Sequence, residues 1–480
     1  MEKTKIEQAK EMSARKEDLS KWYTNIVETS KLIDKRYHVK GCYVWLPYGY
    51  KAMMNIKNIW DNLFQEANIE EMYFPLLVPV EYAKQNDQWF NGFKNEAFWV
   101  KGIDEKEANY ILRPTGEPAM YPMFSLWTRS KNDLPIRIYE TVSSFRYETK
   151  HTMPIIRDRE ITIWHEIHTV HSTNEEAEEE ARLHIELNDK IWKDLTLEPL
   201  RVNKPIWECF PGAVGAIEYY SLIPNGKAME NGSINKLGQS YAKKFNIKFK
   251  DEKGKEEYAW QVCTGNGARL LAGIILTHGD DKGLILPPKI APIQVVITTI
   301  YNKENNQKVN KKANEILNLL KESGLRVHVD NRDITIGRKF YDWEIKGVPL
   351  RIELGSKEID NKQFTLTNRL TFEKNLIKET DILKESKKII GSIQDQLYEN
   401  SKKLNKTLIV EISNTKELSE SIKNKKIAKV NWCGSQQCWT KIKEVSEGIE
   451  LFGTDLKQSK GKCVICKENS NDIGYVANTY

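Results

Sequence analysis

An arginine, two carboxylates and an indole recur in this chain at spacings that would set them round one pocket. In Ser144-Phe145-Arg146-Tyr147-Glu148, and again in Trp164-His165-Glu166-Ile167-His168, the candidate groups stand two residues apart. Residues two apart on a β-strand share a face. Arg146 and Glu148 are therefore expected to point one way from a first strand, and Trp164, Glu166 and His168 one way from a second. A guanidinium grips a carboxylate or a phosphate through two parallel hydrogen bonds. A carboxylate holds an amine, and an indole walls whatever the amine belongs to. The set suits an amino acid and a nucleotide phosphate bound side by side. An Arg-x-Glu triplet alone reads more readily as a surface ion pair on a sheet.

Other segments carry matching chemistry. Ile111-Leu112-Arg113-Pro114-Thr115-Gly116-Glu117-Pro118 reads as a strand, a turn and a helix that begins after Pro118. Thr115 and Glu117 can meet a ligand at that turn, or can serve the helix N-terminus, which favours both residue types. Gly265-Asn266-Gly267-Ala268-Arg269 opens a helix that is apolar nearly all round and therefore buried. The charge of Arg269 then needs a partner, either a phosphate or an internal carboxylate. His165-Glu166-Ile167-His168 resembles a zinc-protease signature, but His165 and His168 are three apart and the β-branched neighbours favour a strand, so that metal reading is rejected. Cys433, Cys438, Cys463 and Cys466 form two short-spaced pairs, the pattern of a closed, structural zinc site.

These residues need elements to position them. Residues 1–37 read as a charged helix with Trp22, Ile26 and Leu32 as apolar points. A Val44–Gly49 turn leads into a helix with Met53, Ile56, Ile59, Trp60 and Phe64 at helical spacing. The apolar stretch from Met72 to Pro79 reads as a strand punctuated by proline. This helix and strand can form a dimer contact or an ordinary core unit. Ser172-Thr173-Asn174-Glu175 reads as a capping box for a helix to about Leu195, with Leu187, Ile191 and Leu195 inward. Strands and turns fill 205–285. From Ile290, strands alternate with helices over about 100 residues, an α/β pattern. A lysine-rich helix opens the last part.

With 480 residues there is room for roughly three domains. The net charge of +6 permits a nucleic-acid partner without demanding one. The charged N-terminal stretch is no secretion leader. No run of about 18 apolar residues would span a membrane. The seven cysteines are then expected reduced or metal-bound, in a cytoplasmic protein.

Taken together, the motifs resemble the class II aminoacyl-tRNA synthetases, and among them the prolyl-tRNA synthetases of the archaeal/eukaryotic type, over nearly the whole chain. Residues 39–79 resemble motif 1, 143–169 motif 2 and 267–288 motif 3 with its flank. NRDITIGRKFYDWEIKGVPLRIELG resembles the anticodon-binding domain, and the C-terminal cysteines with Tyr480 resemble this type's extra zinc-binding domain. The bacterial type's editing insertion has no room between Glu148 and Arg269. The resemblance implies an α/β fold: an antiparallel-sheet catalytic core at 1–287, an α/β anticodon-binding domain at 288–400 and a small zinc-binding α+β domain at 401–480.

It also implies roles. Arg146 would bridge the substrate carboxylate and the α-phosphate, and with Arg269 carries catalysis. Arg157, Arg269, Glu148, Glu230 and Ser233 would bind ATP with its Mg2+. Thr115, Glu117 and Glu166 would receive the imino group of proline, while Trp164, Phe210 and Asn235 would line its pocket. Zn2+ would sit on Cys433, Cys438, Cys463 and Cys466. Partners implied are tRNA(Pro), L-proline, ATP and a second copy in a homodimer, with no membrane. The chain departs from the family pattern at Gly116 (usually Ser), Glu230 (usually Gln), Asn235 (usually His) and Cys263 (usually Ser). Glu230 brings negative charge near phosphate, which magnesium or Lys236 would have to offset. Two alternatives stay open on these departures: a paralogue that activates another small or modified amino acid, and a non-catalytic RNA-binding relative.

Overall fold

The computed structural model describes residues 17–149, 151–301 and 304–480. The expected N-terminal helix falls partly outside the described residues, over 1–16. Its described part is α1 (Leu19–Thr29), started by Asp18, whose carboxylate accepts the Lys21 N–H at 2.9 Å. Next, α2 (Pro47–Glu66) carries proline in its first turn and buries Met53, Ile56, Trp60 and Phe64 at helical spacing. The stretch after it is not one strand. Only Glu70–Glu71 (β1) joins the main sheet, while Leu77–Pro79 joins a separate three-stranded one. Pro75 between them has no N–H to offer a ladder.

The elements that carry the site follow in order. They are α3 (Glu117–Trp127), β2 (Ile136–Phe145), β3 (Glu160–His171) and α4 (Asn174–Asp194). Then come β4 (Leu200–Asn203), β5 (Gly215–Leu222), β6 (Lys227–Gly238), β7 (Trp260–Asn266) and α5 (Arg269–His278). The cap of α4 sits one residue later than the sequence suggests. Thr173 accepts the Glu176 N–H, and Glu176 reaches back to the Ser172 N–H. Leu187, Ile191 and Leu195 are buried as expected. Helix α4 packs on β3, β6 and β7, and α5 on β5 and β6. With α1 and α2 they share one apolar core that seals one face of the sheet.

A five-stranded mixed sheet follows, built from β8 (Val295–Ile300), β9 (Val327–Asp330), β10 (Leu350–Gly355), β11 (Gln363–Asn368) and β12 (Lys374–Lys378). Their order is β9-β8-β10-β11-β12, with β8 parallel to both neighbours. Helices α6 (Asn306–Glu322) and α7 (Ile336–Ile345) make the parallel crossovers. The 27-residue α8 (Ile382–Leu408) runs unbroken through residue 400.

The C-terminal strands β13 (Ile409–Glu411), β14 (Ile427–Trp432), β15 (Ile449–Asp455) and β16 (Asp472–Thr479), with α9 (Gln436–Lys443) among them, do not form a sheet of their own. They extend the main sheet to eleven strands in the order β13-β14-β16-β15-β4-β5-β6-β7-β3-β2-β1. The seam is made by β15 on β4, and β16 also pairs in parallel with β6. Around β2 to β7 the sheet is antiparallel throughout.

Candidate active site

Strand register builds the site. Glu166 of β3 lies opposite Gly265 of β7, Gly265 opposite Ser233 of β6, and Ser233 opposite Glu218 of β5. In the neighbouring row, His168 lies opposite Cys263, and Cys263 opposite Asn235. Cross-strand partners stand side by side on one face. That face is the one left uncovered by α4 and α5. It floors a cavity of about 300 Å³ lined by Thr115, Glu117, Arg146, Trp164, Glu166, Phe210, Glu230, Ser233, Asn235 and Arg269, among others.

Two glycines are there because side chains come too close for a Cβ. A Cβ on Gly116 would meet Glu166 Oε2 at 2.5 Å, and one on Gly265 would meet the Trp164 indole at 2.6 Å. The Gly116 N–H donates to Glu166 Oε2 at 2.6 Å, so the carboxylate sits where a serine side chain would start. The other Glu166 oxygen accepts from the Trp164 indole N–H.

Thr115 accepts from the Trp89 indole N–H at 2.9 Å and donates to Glu117. His168 Nε2 is 3.1 Å from Glu166 Oε2, and its Nδ1 is 3.0 Å from the Tyr121 hydroxyl. Burial alone would raise the pKa of Glu166, but the hydrogen bond and charge of His168, with help from Arg113, hold it below the usual carboxylate range. Glu117 is pushed up, by burial first and by the Glu166 charge, against the pull of His168. Burial would lower His168, yet its Glu166 hydrogen bond and the charges of Glu117, Glu166 and Glu140 raise it. The pocket thus concentrates negative charge around one imidazole, a setting for a cationic nitrogen.

Arg146 stands at the mouth. Strand β2 ends at Phe145, so the two-residue alternation expected for Arg146 and Glu148 does not continue past it. Arg146 lies between the rings of Phe93, at 5.5 Å, and Trp164, at 5.9 Å. Phe93 also meets Phe210 at 6.0 Å, which completes an aromatic wall. Glu148 lines neither this cavity nor the next; its backbone carbonyl accepts from Arg159. Its charge nonetheless acts on Arg269.

A second cavity of about 260 Å³ adjoins the first and shares Lys204, Glu208, Glu230 and Arg269 with it. Arg157 lines this one, and donates to the Tyr480 backbone carbonyl at 3.2 Å. Arg269 donates to the carbonyls of Ile156, at 2.6 Å, and Glu230, at 3.3 Å. The negative charge of Glu230 is answered by Lys204, not by Lys236. Lys236 pairs with Glu178 at 2.6 Å, because Ser233 and Asn235 already face the cavity and the next residue must face away. Lys204 pairs with Glu218 at 2.8 Å, and Glu218 is pushed up to about 7 by burial and by the neighbouring Glu230 charge. Lys204 and Glu218 belong to no short motif. Each meets the site only through β4 and β5, so sequence reasoning misses both.

Far from these cavities, ligand atoms of Cys433, Cys438, Cys463 and Cys466 lie within 4.8 Å of one another. The Cys433 and Cys466 sulfurs are 3.8 Å apart. Four thiolates about 2.3 Å from a tetrahedral zinc would stand about 3.8 Å apart, so the set fits that ion. Burial pushes Cys433 up, but hydrogen bonds from Ser435, then Cys438 and Cys463, bring it down to about 7.

The chain matches three family models in order. These are the class II tRNA synthetase core domain (G, H, P, S and T) over 98–278, an anticodon-binding domain over 294–389, and the C-terminal domain of prolyl-tRNA synthetase over 415–480. It is 39% identical to the proline–tRNA ligase of Thermococcus kodakarensis over 97% of this chain and 98% of that one. Against that of Methanococcoides burtonii it is 40% identical over 99% and 100%. The chain belongs to the prolyl-tRNA synthetase family. Solved structures agree. That of Giardia lamblia prolyl-tRNA synthetase in complex with prolyl-adenylate superposes with a TM-score of 0.92, at 32% identity, covering 96% of this chain and 97% of that one. That of the Cryptosporidium parvum prolyl-tRNA synthetase with L-proline and AMP gives 0.90 at 31%, covering 97% and 98%. The antiparallel catalytic sheet and the α/β anticodon-binding unit are those of a class II prolyl-tRNA synthetase, and the chain is an aminoacyl-tRNA synthetase. Among the described residues no helix is long and apolar enough to cross a membrane.

Proposed function

We propose that this chain is a proline–tRNA ligase: it joins L-proline to AMP and passes the prolyl group to the 3′ end of tRNA(Pro). The observation that carries this reading is the pairing of Glu117 and Glu166 around His168 inside an aromatic-walled cavity with Arg146 at its mouth. A secondary ammonium group needs hydrogen-bond acceptors and negative charge. Thr115, Glu117 and Glu166 supply both, and Glu166 is held ionised for the task. Trp164, Phe210 and Phe93 enclose the ring, and Asn235 lines the same floor.

Arg146 then holds the proline carboxylate and the α-phosphate together. The carboxylate oxygen attacks the α-phosphorus and pyrophosphate leaves. Arg269 and Arg157, one in each cavity's reach, hold the phosphates, and Ser233 and Glu230 border them. Glu148 serves the adenine side. Magnesium arriving with ATP would neutralise phosphate charge, and Glu230 is the oxygen donor placed to hold it. A ribose hydroxyl of the tRNA terminus next attacks the prolyl carbonyl and AMP leaves. No side-chain nucleophile is needed: positioning and charge stabilisation do the work. The anticodon-binding unit supports tRNA as the acceptor. Zinc on the four C-terminal cysteines would be structural, with no open position. The domain limits proposed are 1–287, 288–400 and 401–480, the last two sharing α8. Exposed Tyr50, Met72, Tyr73 and Leu77 on and after α2 support a homodimer through that face, and the unpaired thiols fit a cytoplasmic setting.

The test is ATP–pyrophosphate exchange with proline, cysteine, alanine and hydroxyproline as substrates, followed by charging of tRNA(Pro). Exchange strongest with proline is expected. Exchange strongest with another amino acid, or none in a folded protein, overturns the assignment.

A further inference from the structure

Three different donor atoms converge on the floor of the amino-acid cavity. Glu117 at the start of α3, His168 of β3 and Cys263 of β7 each offer one ligand atom, and the three lie within 4.8 Å of one another, all buried. The convergence is built in. Cys263 and His168 are register partners on adjacent strands, and α3 lays Glu117 over them. All three line the same cavity.

The surroundings suit a metal. The Tyr121 hydroxyl is 3.0 Å from His168 Nδ1, which orients the ring and turns Nε2 towards the carboxylates. Metal-ligating imidazoles are oriented by such outer partners. A carboxylate oxygen, an imidazole nitrogen and a thiolate sulfur are zinc donors, and three protein ligands leave a fourth position open. The sulfur argues against magnesium or calcium, which choose oxygen. Cys263 is also one of the departures from the resembled pattern noted above. Of the two histidines weighed above, only His168 takes part: His165 faces the opposite side, against Trp60 and Phe64.

We propose that Glu117, His168 and Cys263 bind a zinc-class divalent cation at the place the substrate's imino group would occupy, so that the ion and the amino acid compete. The competition rests on the assignment of this cavity to the amino acid; the metal site itself does not.

The experiment uses the full chain with its C-terminal cysteines already zinc-loaded. Bound zinc is counted by mass spectrometry of the metal, and Zn2+ is titrated calorimetrically with and without excess L-proline. One further equivalent is expected in the wild type, lost in Cys263→Ser and lost on adding proline. In exchange assays, zinc should raise the apparent KM for proline and leave kcat unchanged. Equal zinc content in wild type and Cys263→Ser overturns the site. If Cys263→Ser does not fold, the cobalt-loaded wild type decides: its thiolate-to-cobalt absorption must weaken when proline is added, and an unchanged band overturns the proposal. Exchange with proline measured without added zinc separates the two readings. Its absence, with the extra equivalent still bound, removes the proline assignment and keeps the metal site.

Discussion

At Gly116 the usual family residue would displace a neighbouring side chain. The Glu166 carboxylate already occupies the space in which a Cβ would stand, 2.5 Å away. Gly116→Ser should therefore push Glu166 off the Gly116 N–H and raise the KM for proline by about tenfold, the equivalent of about 1.4 kcal/mol. The KM for ATP, measured in the same exchange assay, should stay put. Glu218 gives a second residue-scale prediction. Its folded pKa of about 7 lies above the ordinary carboxylate value. The stability it lends is thus complete below about pH 4.5 and is lost as pH rises through about 7. Over the same range the negative charge of Glu218 beside the phosphate site grows. Between pH 8 and 6 the KM for ATP should fall, and Glu218→Gln should flatten that profile; a variant profile identical to the wild type removes Glu218 as the cause.

Among elements, the join between α3 and the sheet depends on one buried ion pair. Arg113, just before the turn into α3, pairs with Glu140 of β2, and both are almost wholly buried. Such a pair contributes little net stability over an apolar substitute, but removing one partner strands the other charge. Arg113→Met should cost about 3–5 kcal/mol in urea unfolding. Arg113→Met with Glu140→Leu should recover most of it. If the single variant loses less than about 1 kcal/mol, the pair is not what anchors this corner. The strand edges also explain why Arg146 and Glu148 part company. The two-residue rule holds only while the ladder does, and the ladder stops at Phe145. Along β3, where it runs on, Trp164, Glu166 and His168 share the cavity as their spacing implies.

For the molecule as a whole, one sheet joins the C-terminal strands beside the four-cysteine cluster to the strands that floor the cavities. Strand β16 reaches β6, and the following Tyr480 accepts from Arg157 beside the second cavity. Stripping metal with a strong chelator should then lower both the thermal midpoint and proline-dependent exchange. Cys463→Ser should do the same without a chelator. Loss of stability with full exchange activity would show that the C-terminal strands act alone. Light scattering should report a dimer, and Tyr73→Lys, at an exposed aromatic, should shift it towards monomer.

Local chemistry was legible without coordinates. Helical spacing marked α2 and α4, β-branched alternation marked β3, and the order of motifs marked the family. Cysteine spacing marked the four-thiolate cluster, because short loops alone bring such pairs together. The sequence did not disclose that the last strands complete the catalytic sheet, since strand pairing is set by backbone ladders between segments hundreds of residues apart. For the same reason it offered Lys236, beside magnesium, as the offset to Glu230, where Lys204 is the lysine that lies near it. By itself, then, the sequence determined the family and the candidate groups for holding an amino acid and a nucleotide. Only the tertiary structure decided which of them face one another, because a one-residue change of face on a strand reverses every partner and no local pattern records which strand lies next door.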